Sequence, residues 1–169
     1  YIYISGEGIY DVMTSLGQII YQYEIKNLIN FGIAGALDNK LSLKTITKIR
    51  TVYLENDNNI QFKTHTLKGD VDCITSYQRV LDDKYRKKLY PIAPLVDREL
   101  WAIAKVASEY QVPLQSYKLI SDYAGVSTDC FDLKERAKEF SQILWEYYLE
   151  NLEKNGLKKE EKKPQKLSQ

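Results

Sequence analysis

Four short stretches of this 169-residue chain bring together residue types that binding and proton transfer use. Leu28-Ile29-Asn30-Phe31-Gly32-Ile33-Ala34-Gly35-Ala36-Leu37 runs from an apolar strand pattern into a glycine-bracketed turn. There a backbone either bends tightly or lies against a ligand. Val96-Asp97-Arg98-Glu99 and Ile120-Ser121-Asp122 each carry an apolar run into a carboxylate. Such a group serves as an acid, as a holder of hydroxyls or, for Glu99 at a helix start, as an ordinary first-turn charge. Ser5-Gly6-Glu7-Gly8 leads into a helix and forms either a tight turn or an anion site on bare N–H groups. Other chemistries lack their residues. His65 is the single histidine and sits in an alternating strand pattern, and Cys73 and Cys130 form no Cys-x-x-Cys. Neither a metal site nor a disulfide framework is expected, and no cofactor is called for.

The elements that must position these residues follow from hydrophobic period and breakers. Tyr1-Ile2-Tyr3-Ile4-Ser5 reads as a strand, and Ile9, Val12, Met13, Leu16, Ile19, Ile20 and Tyr23 recur as the stripe of a helix from Ile9 to Tyr23. Strands are expected at Lys44 to Leu54, after a turn at Asn56-Asp57-Asn58-Asn59 again at Ile60 to Thr64, and from Thr66 to Ile74 with a Gly69-Asp70 interruption. A short helix from Tyr77 to Leu89, ended by Pro91, precedes a strand at Ala93 to Glu99 and a helix whose Ala104 and Ala107 permit close packing. Leu114 to Ile120 is the next strand. Leu133, Ala137, Phe140, Ile143, Leu144, Tyr147 and Tyr148 mark a long closing helix. One domain over residues 1–153 and a disordered polar tail over 154–169 are expected.

A formal net charge of +1 gives no general attraction to nucleic acid or to an anionic membrane, so neither is an expected partner. No run is long enough to span a bilayer, and the low cysteine count makes a cytoplasmic setting the default.

Asn30 to Leu37, Val96 to Ala104 and Ile120 to Ala124, in that order, resemble the three signature stretches of the purine nucleoside phosphorylase and nucleosidase family, nearest the 5′-methylthioadenosine/S-adenosylhomocysteine nucleosidases. Ser5-Gly6-Glu7-Gly8 is similar to the family's Ser-Gly-x-Gly segment. The resemblance implies a three-layer α/β/α sandwich with a central mixed sheet, a homodimer and hydrolysis of the N-glycosidic bond of an adenosine-type nucleoside. By the same resemblance Asp122 would protonate the purine, with Ser121 placing it. Glu99 would hold ribose hydroxyls, and Ile33, Ala34 and Gly35 would line the sugar. The ends of the strands at Ile29, Val96 and Ile120 should converge on one cleft.

Departures from the family pattern set further expectations. Arg98 stands where an apolar residue packs beneath the sugar, and Val71, Asp72 and Cys73 stand near where nucleosidases stack a Phe on the base, so Arg98 and Cys73 are candidate substrate contacts. Asn30 stands where phosphorylases of one branch carry a phosphate-binding Arg, which favours hydrolysis. The family's leading strand, with its water-activating Glu, is not seen ahead of Tyr1. A second expectation therefore stands beside the first: a degenerate member that binds a nucleoside or a protein partner without turnover. A third is an unrelated doubly wound protein holding a phosphate at Ser5 to Gly8.

Overall fold

The computed structural model describes residues 1–56, 59–125 and 130–153. Among them six strands form one mixed sheet: β1 (Leu28–Ala36), β2 (Ile46–Asn56), β3 (Asn59–Thr66), β4 (Val71–Thr75), β5 (Leu95–Asp97) and β6 (Leu114–Tyr123). The helices are α1 (Ile9–Gln22), α2 (Asp83–Leu89), α3 (Leu100–Glu109), α4 (Cys130–Glu135) and α5 (Ala137–Tyr148), the last running into a π-helical turn at Leu149–Glu153.

The strands lie in the order β3-β2-β4-β5-β1-β6, and β6 also pairs with β2. This second pairing closes the sheet like a barrel, where the central layer of a three-layer sandwich was expected. The length of β2 makes closure possible. Ile46 to Lys48 pair antiparallel with β6, Ile49 to Leu54 lie parallel to β4, and Thr51 to Asn56 pair antiparallel with β3. Accumulated right-handed twist brings the far edge of the sheet round to the start of β2. The α/β class and the mixed strand directions are as expected.

α1 and α3 pack against each other on one side of this sheet. The α1 stripe buries Ile9, Val12, Leu16 and Ile20, and α3 is buried on most sides, from Leu100 and Trp101 through Ala102, Ile103, Ala104, Val106 and Ala107. Fully burying one such Leu or Ile is worth about 1.5–3 kcal/mol, so this layer is a large share of the core. On the β1–β6 side, Tyr147 and Tyr148 of α5 pack against Tyr117 and Phe31, whose rings stack at 5.5 Å.

Several elements differ from expectation for local reasons. No turn forms at Gly32 to Gly35, because β1 continues through both glycines to Ala36, paired with β6 on one side and with β5 on the other. Tyr1 to Ser5 pairs with no strand among the described residues, and Tyr1, Ile2 and Ile4 are exposed. Apolar alternation makes a strand only where a neighbour accepts its hydrogen bonds. α2 begins at Asp83 rather than Tyr77, because the Asp82 carboxylate caps it by accepting the Tyr85 N–H at 2.8 Å. The interruption expected at Gly69-Asp70 is present, but Thr66 ends β3 rather than opening the next strand, and β4 starts at Val71. The closing helix is broken at Arg136 into α4 and α5. The turn expected around Asp57 and Asn58 and the tail over 154–169 lie outside the described residues.

Candidate active site

β1 is the strand on which the candidate residues meet. It lies between β5 and β6, with Gly35 opposite Val96 on one side and Asp122 on the other. The register between β1 and β6 shifts between Ala34 and Gly35. A Cβ on Gly35 would sit 3.1 Å from the Ala124 methyl and 3.5 Å from both Asp122 Oδ2 and Val96 Cγ1. The glycine is thus what lets three strand ends crowd together.

The strand ends open into a cavity of about 480 Å³, a size suited to a small organic ligand. Ile33, Ala34, Gly35, Arg98, Glu99, Ser121 and Asp122 all line it. Cys73 does not. It is fully buried on β4, paired with Leu95 and Val52, and its thiol is pushed well above the ordinary range by burial and then by Asp97. The expectation that Cys73 touches substrate is corrected by that placement, since this part of β4 is buried on both faces and Cys73 packs in the core. His65, on β3, packs against Trp101 at 5.5 Å and lines no part of the cavity.

Each acid has a defined setting. The Ser121 hydroxyl, 1% exposed, lies 3.3 Å from the Ala34 carbonyl and donates to Asp122 Oδ1 at 2.5 Å. Glu99 stands just ahead of α3, with its carboxylate turned away from the helix start to accept the Gly8 N–H at 2.7 Å. The glycine turn at Ser5 to Gly8 therefore positions a carboxylate, with its Gly8 N–H committed to Glu99.

Beneath these lies an ion pair that pattern reading missed. Lys118 Nζ meets Asp97 Oδ2 at 2.7 Å, with the two residues 2% and 5% exposed. Asp97 Oδ1 accepts the Thr75 hydroxyl at 2.6 Å and Oδ2 accepts the Leu100 N–H at 2.9 Å, while Thr75 Oγ1 accepts the Trp101 N–H at 2.9 Å. Asp97 and Thr75 thus satisfy the first free N–H groups of α3. Lys118 reaches the cavity floor under Gly32, where an added Cβ would lie 3.1 Å from Nζ. Burial opposes the charge on Lys118 and Asp97 outweighs it, so the ammonium is held above its ordinary range. The signal in the sequence was a lone cation inside the run Tyr117-Lys118-Leu119-Ile120.

Burial raises the Glu99 carboxyl above its ordinary value of 4.5, Asp97 adds to this, and Lys118, the Gly8 N–H and Arg98 oppose it. Between the ordinary value and the raised one the folded chain thus keeps a proton that the unfolded chain has released. The contribution of Glu99 to stability is present in acid and is lost as pH rises from the ordinary value through the raised one. In urea unfolding followed from about pH 4 to about pH 7, Glu99→Gln is expected to flatten that fall. An unchanged slope would remove Glu99 as its source.

Among the described residues no three His, Cys, Asp or Glu side chains gather as a metal group, and no described helix is long and apolar enough to cross a membrane.

No family model matches the chain, and no curated protein matches it in sequence. Solved structures do match in fold. A 5′-methylthioadenosine/S-adenosylhomocysteine nucleosidase mutant of Helicobacter pylori, with 5′-methylthioadenosine in its active site, superposes with a TM-score of 0.76 at 14% identity, over 85% of this chain and 75% of that one. A futalosine hydrolase mutant of Helicobacter pylori gives 0.77 at 14%, over 85% and 76%. A 5′-methylthioadenosine/S-adenosylhomocysteine nucleosidase of S. pneumoniae with a transition-state inhibitor gives 0.75 at 17%, over 86% and 76%. The fold of this chain is that of the 5′-methylthioadenosine/S-adenosylhomocysteine nucleosidases, the branch that its three motifs resemble.

Proposed function

We propose that this chain is a purine nucleosidase that hydrolyses the N-glycosidic bond of an adenosine-type nucleoside. The observation that supports it most is the register that sets Gly35 between Val96 and Asp122, so that Glu99 and Asp122 face one cavity. Cleavage builds positive charge on the sugar and negative charge on the departing purine. Asp122, oriented by Ser121, gives its proton to the purine ring nitrogen as the bond from the sugar C1′ breaks. Glu99 holds the ribose hydroxyls, and the backbone at Ile33 to Gly35 lies along the sugar. Water adds to C1′ and its proton balances the one that left with the base. Hydrolysis rather than phosphorolysis is supported by Asn30, which accepts the Ser116 hydroxyl at 2.9 Å where a phosphate-binding Arg would stand. A homodimer in the cytoplasm, with no cofactor, belongs to the same proposal.

One observation favours the second reading, a nucleoside-binding protein without turnover. Among the described residues the cavity carboxylates Glu7, Asp97, Glu99 and Asp122 are each engaged, with Arg79, Lys118, the Gly8 N–H and Ser121, which leaves none of these four in evidence to activate water.

The deciding assay is release of free adenine from adenosine, 5′-methylthioadenosine and S-adenosylhomocysteine, run beside equilibrium binding of the same compounds. Release is the expected result. Binding without release would establish the second reading, and neither would overturn both.

A further inference from the structure

The mouth of the cavity carries charge that the proposed chemistry does not use. Arg79, Arg98 and Lys134 all line it, and among the described residues a carboxylate that stands between them is that of Glu7, the variable residue of the Ser5 to Gly8 turn. Arg79 Nη2 donates to Glu7 Oε1 at 2.7 Å, while Arg98 Nη1 stands 3.5 Å from the same oxygen. Among the described residues, Arg98 Nε is buried with no hydrogen-bond partner. A buried guanidinium N–H left unmade is costly, and a planar fork of this kind matches the paired oxygens of a carboxylate or phosphate. Glu7 itself is 59% exposed and rests on a glycine-flanked turn, so it can swing out into water. Its carboxyl is held below the ordinary range by the Arg79 hydrogen bond first, with Arg98 and Lys134 adding to this, and burial opposing it. The deeper acids are engaged elsewhere: Asp97 with Lys118, Glu99 with the Gly8 N–H and Asp122 with Ser121.

We infer that Arg79 and Arg98 form an oxyanion site at the cavity mouth, with Glu7 as a built-in stand-in that a ligand phosphate displaces. The site lies beside Glu99, so a nucleoside seated as proposed above would carry the oxyanion on its sugar side. The substrate class is then an anionic nucleoside, such as a nucleoside monophosphate. This use of the site rests on the nucleosidase reading, whereas the oxyanion site itself does not.

Calorimetric titration of the full chain with adenosine 5′-monophosphate, adenosine and inorganic phosphate tests it. The monophosphate is expected to bind about tenfold or more tightly than adenosine. That ratio falls toward one in Arg98→Met and rises in Glu7→Gln, whose exposed position makes misfolding no explanation. Weaker binding of the monophosphate at higher salt accompanies it. Inorganic phosphate binding that depends on Arg98, with adenosine and its monophosphate bound equally, would also support the site and name free phosphate as its ligand. Phosphate binding with no nucleoside binding would keep the site and overturn the nucleosidase reading. Equal affinities with no phosphate binding, or ratios unmoved by both variants, would overturn the site and leave that reading intact.

Discussion

Asp122→Asn is expected to lower turnover by about two to four orders of magnitude while the nucleoside still binds. The asparagine amide preserves the shape and can still accept from Ser121, which donates to Asp122 Oδ1 at 2.5 Å in the present structure. It cannot transfer a proton, so the purine must leave as an anion. The loss should therefore fall on kcat with little change in KM. A nitrophenyl riboside sharpens the test, because its leaving group needs no protonation. On that compound the variant should keep most of its activity. Equal losses on both compounds would show that Asp122 acts by holding the site rather than as the acid.

Lys118→Met is expected to remove about 3–5 kcal/mol of stability in urea unfolding, the cost of leaving one charge buried without its partner. Both members of the pair are nearly inaccessible, so solvent cannot take the place of the lost ammonium. Asp97→Ala should cost at least as much, since it also strips the Thr75 hydroxyl and the Leu100 N–H of their acceptor. Combining Lys118→Met with Asp97→Asn should recover part of the loss, because an amide carries no charge and still accepts from the start of α3. A double variant as unstable as the sum of its parts would show that packing around Lys118, rather than its charge, carries the effect.

How much of this was legible in the sequence depended on how local each signal was. Asp97 to Glu99 and Ser121-Asp122 announce themselves, because a strand ending in a carboxylate is a pattern within ten residues. The start of α1 and the burial of Ala104 and Ala107 on α3 are readable for the same reason. The turn expected at Gly32 to Gly35 is strand, since pairing to β5 and β6 carries β1 on to Ala36. Tyr1 to Ser5 has the composition of a strand, yet strand formation depends on a partner that no local pattern reports. The β2–β6 pairing joins Ile46 to Leu119 and left no mark in either segment alone. Cys73 was placed by its proximity to a motif position, while the face of β4 that it occupies is set by pairing to Val52 and Leu95. Lys118 was read as one more residue of a strand, and only the approach of Asp97 from β5 explains why a cation can stay there.

The pairing of Ile46, Thr47 and Lys48 with Leu119, Lys118 and Tyr117 has a consequence for the order in which the chain acquires a working site. Contacts between segments so distant in sequence form late, since the entropy of closing the intervening loop must be met before the contact stabilises anything. Ser121 and Asp122 follow this seam on the same strand, and Lys118 lies within it. Lys118 is therefore held on both sides only once the barrel shuts, whereas Asp122 is seated by β1, opposite Gly35. A partly folded chain, with β1 and α3 already packed, holds an unfinished cavity. A ligand in the cavity, which is lined from β1, β5 and β6 at once, would hold these three strands together and favour the folded form in proportion to its affinity.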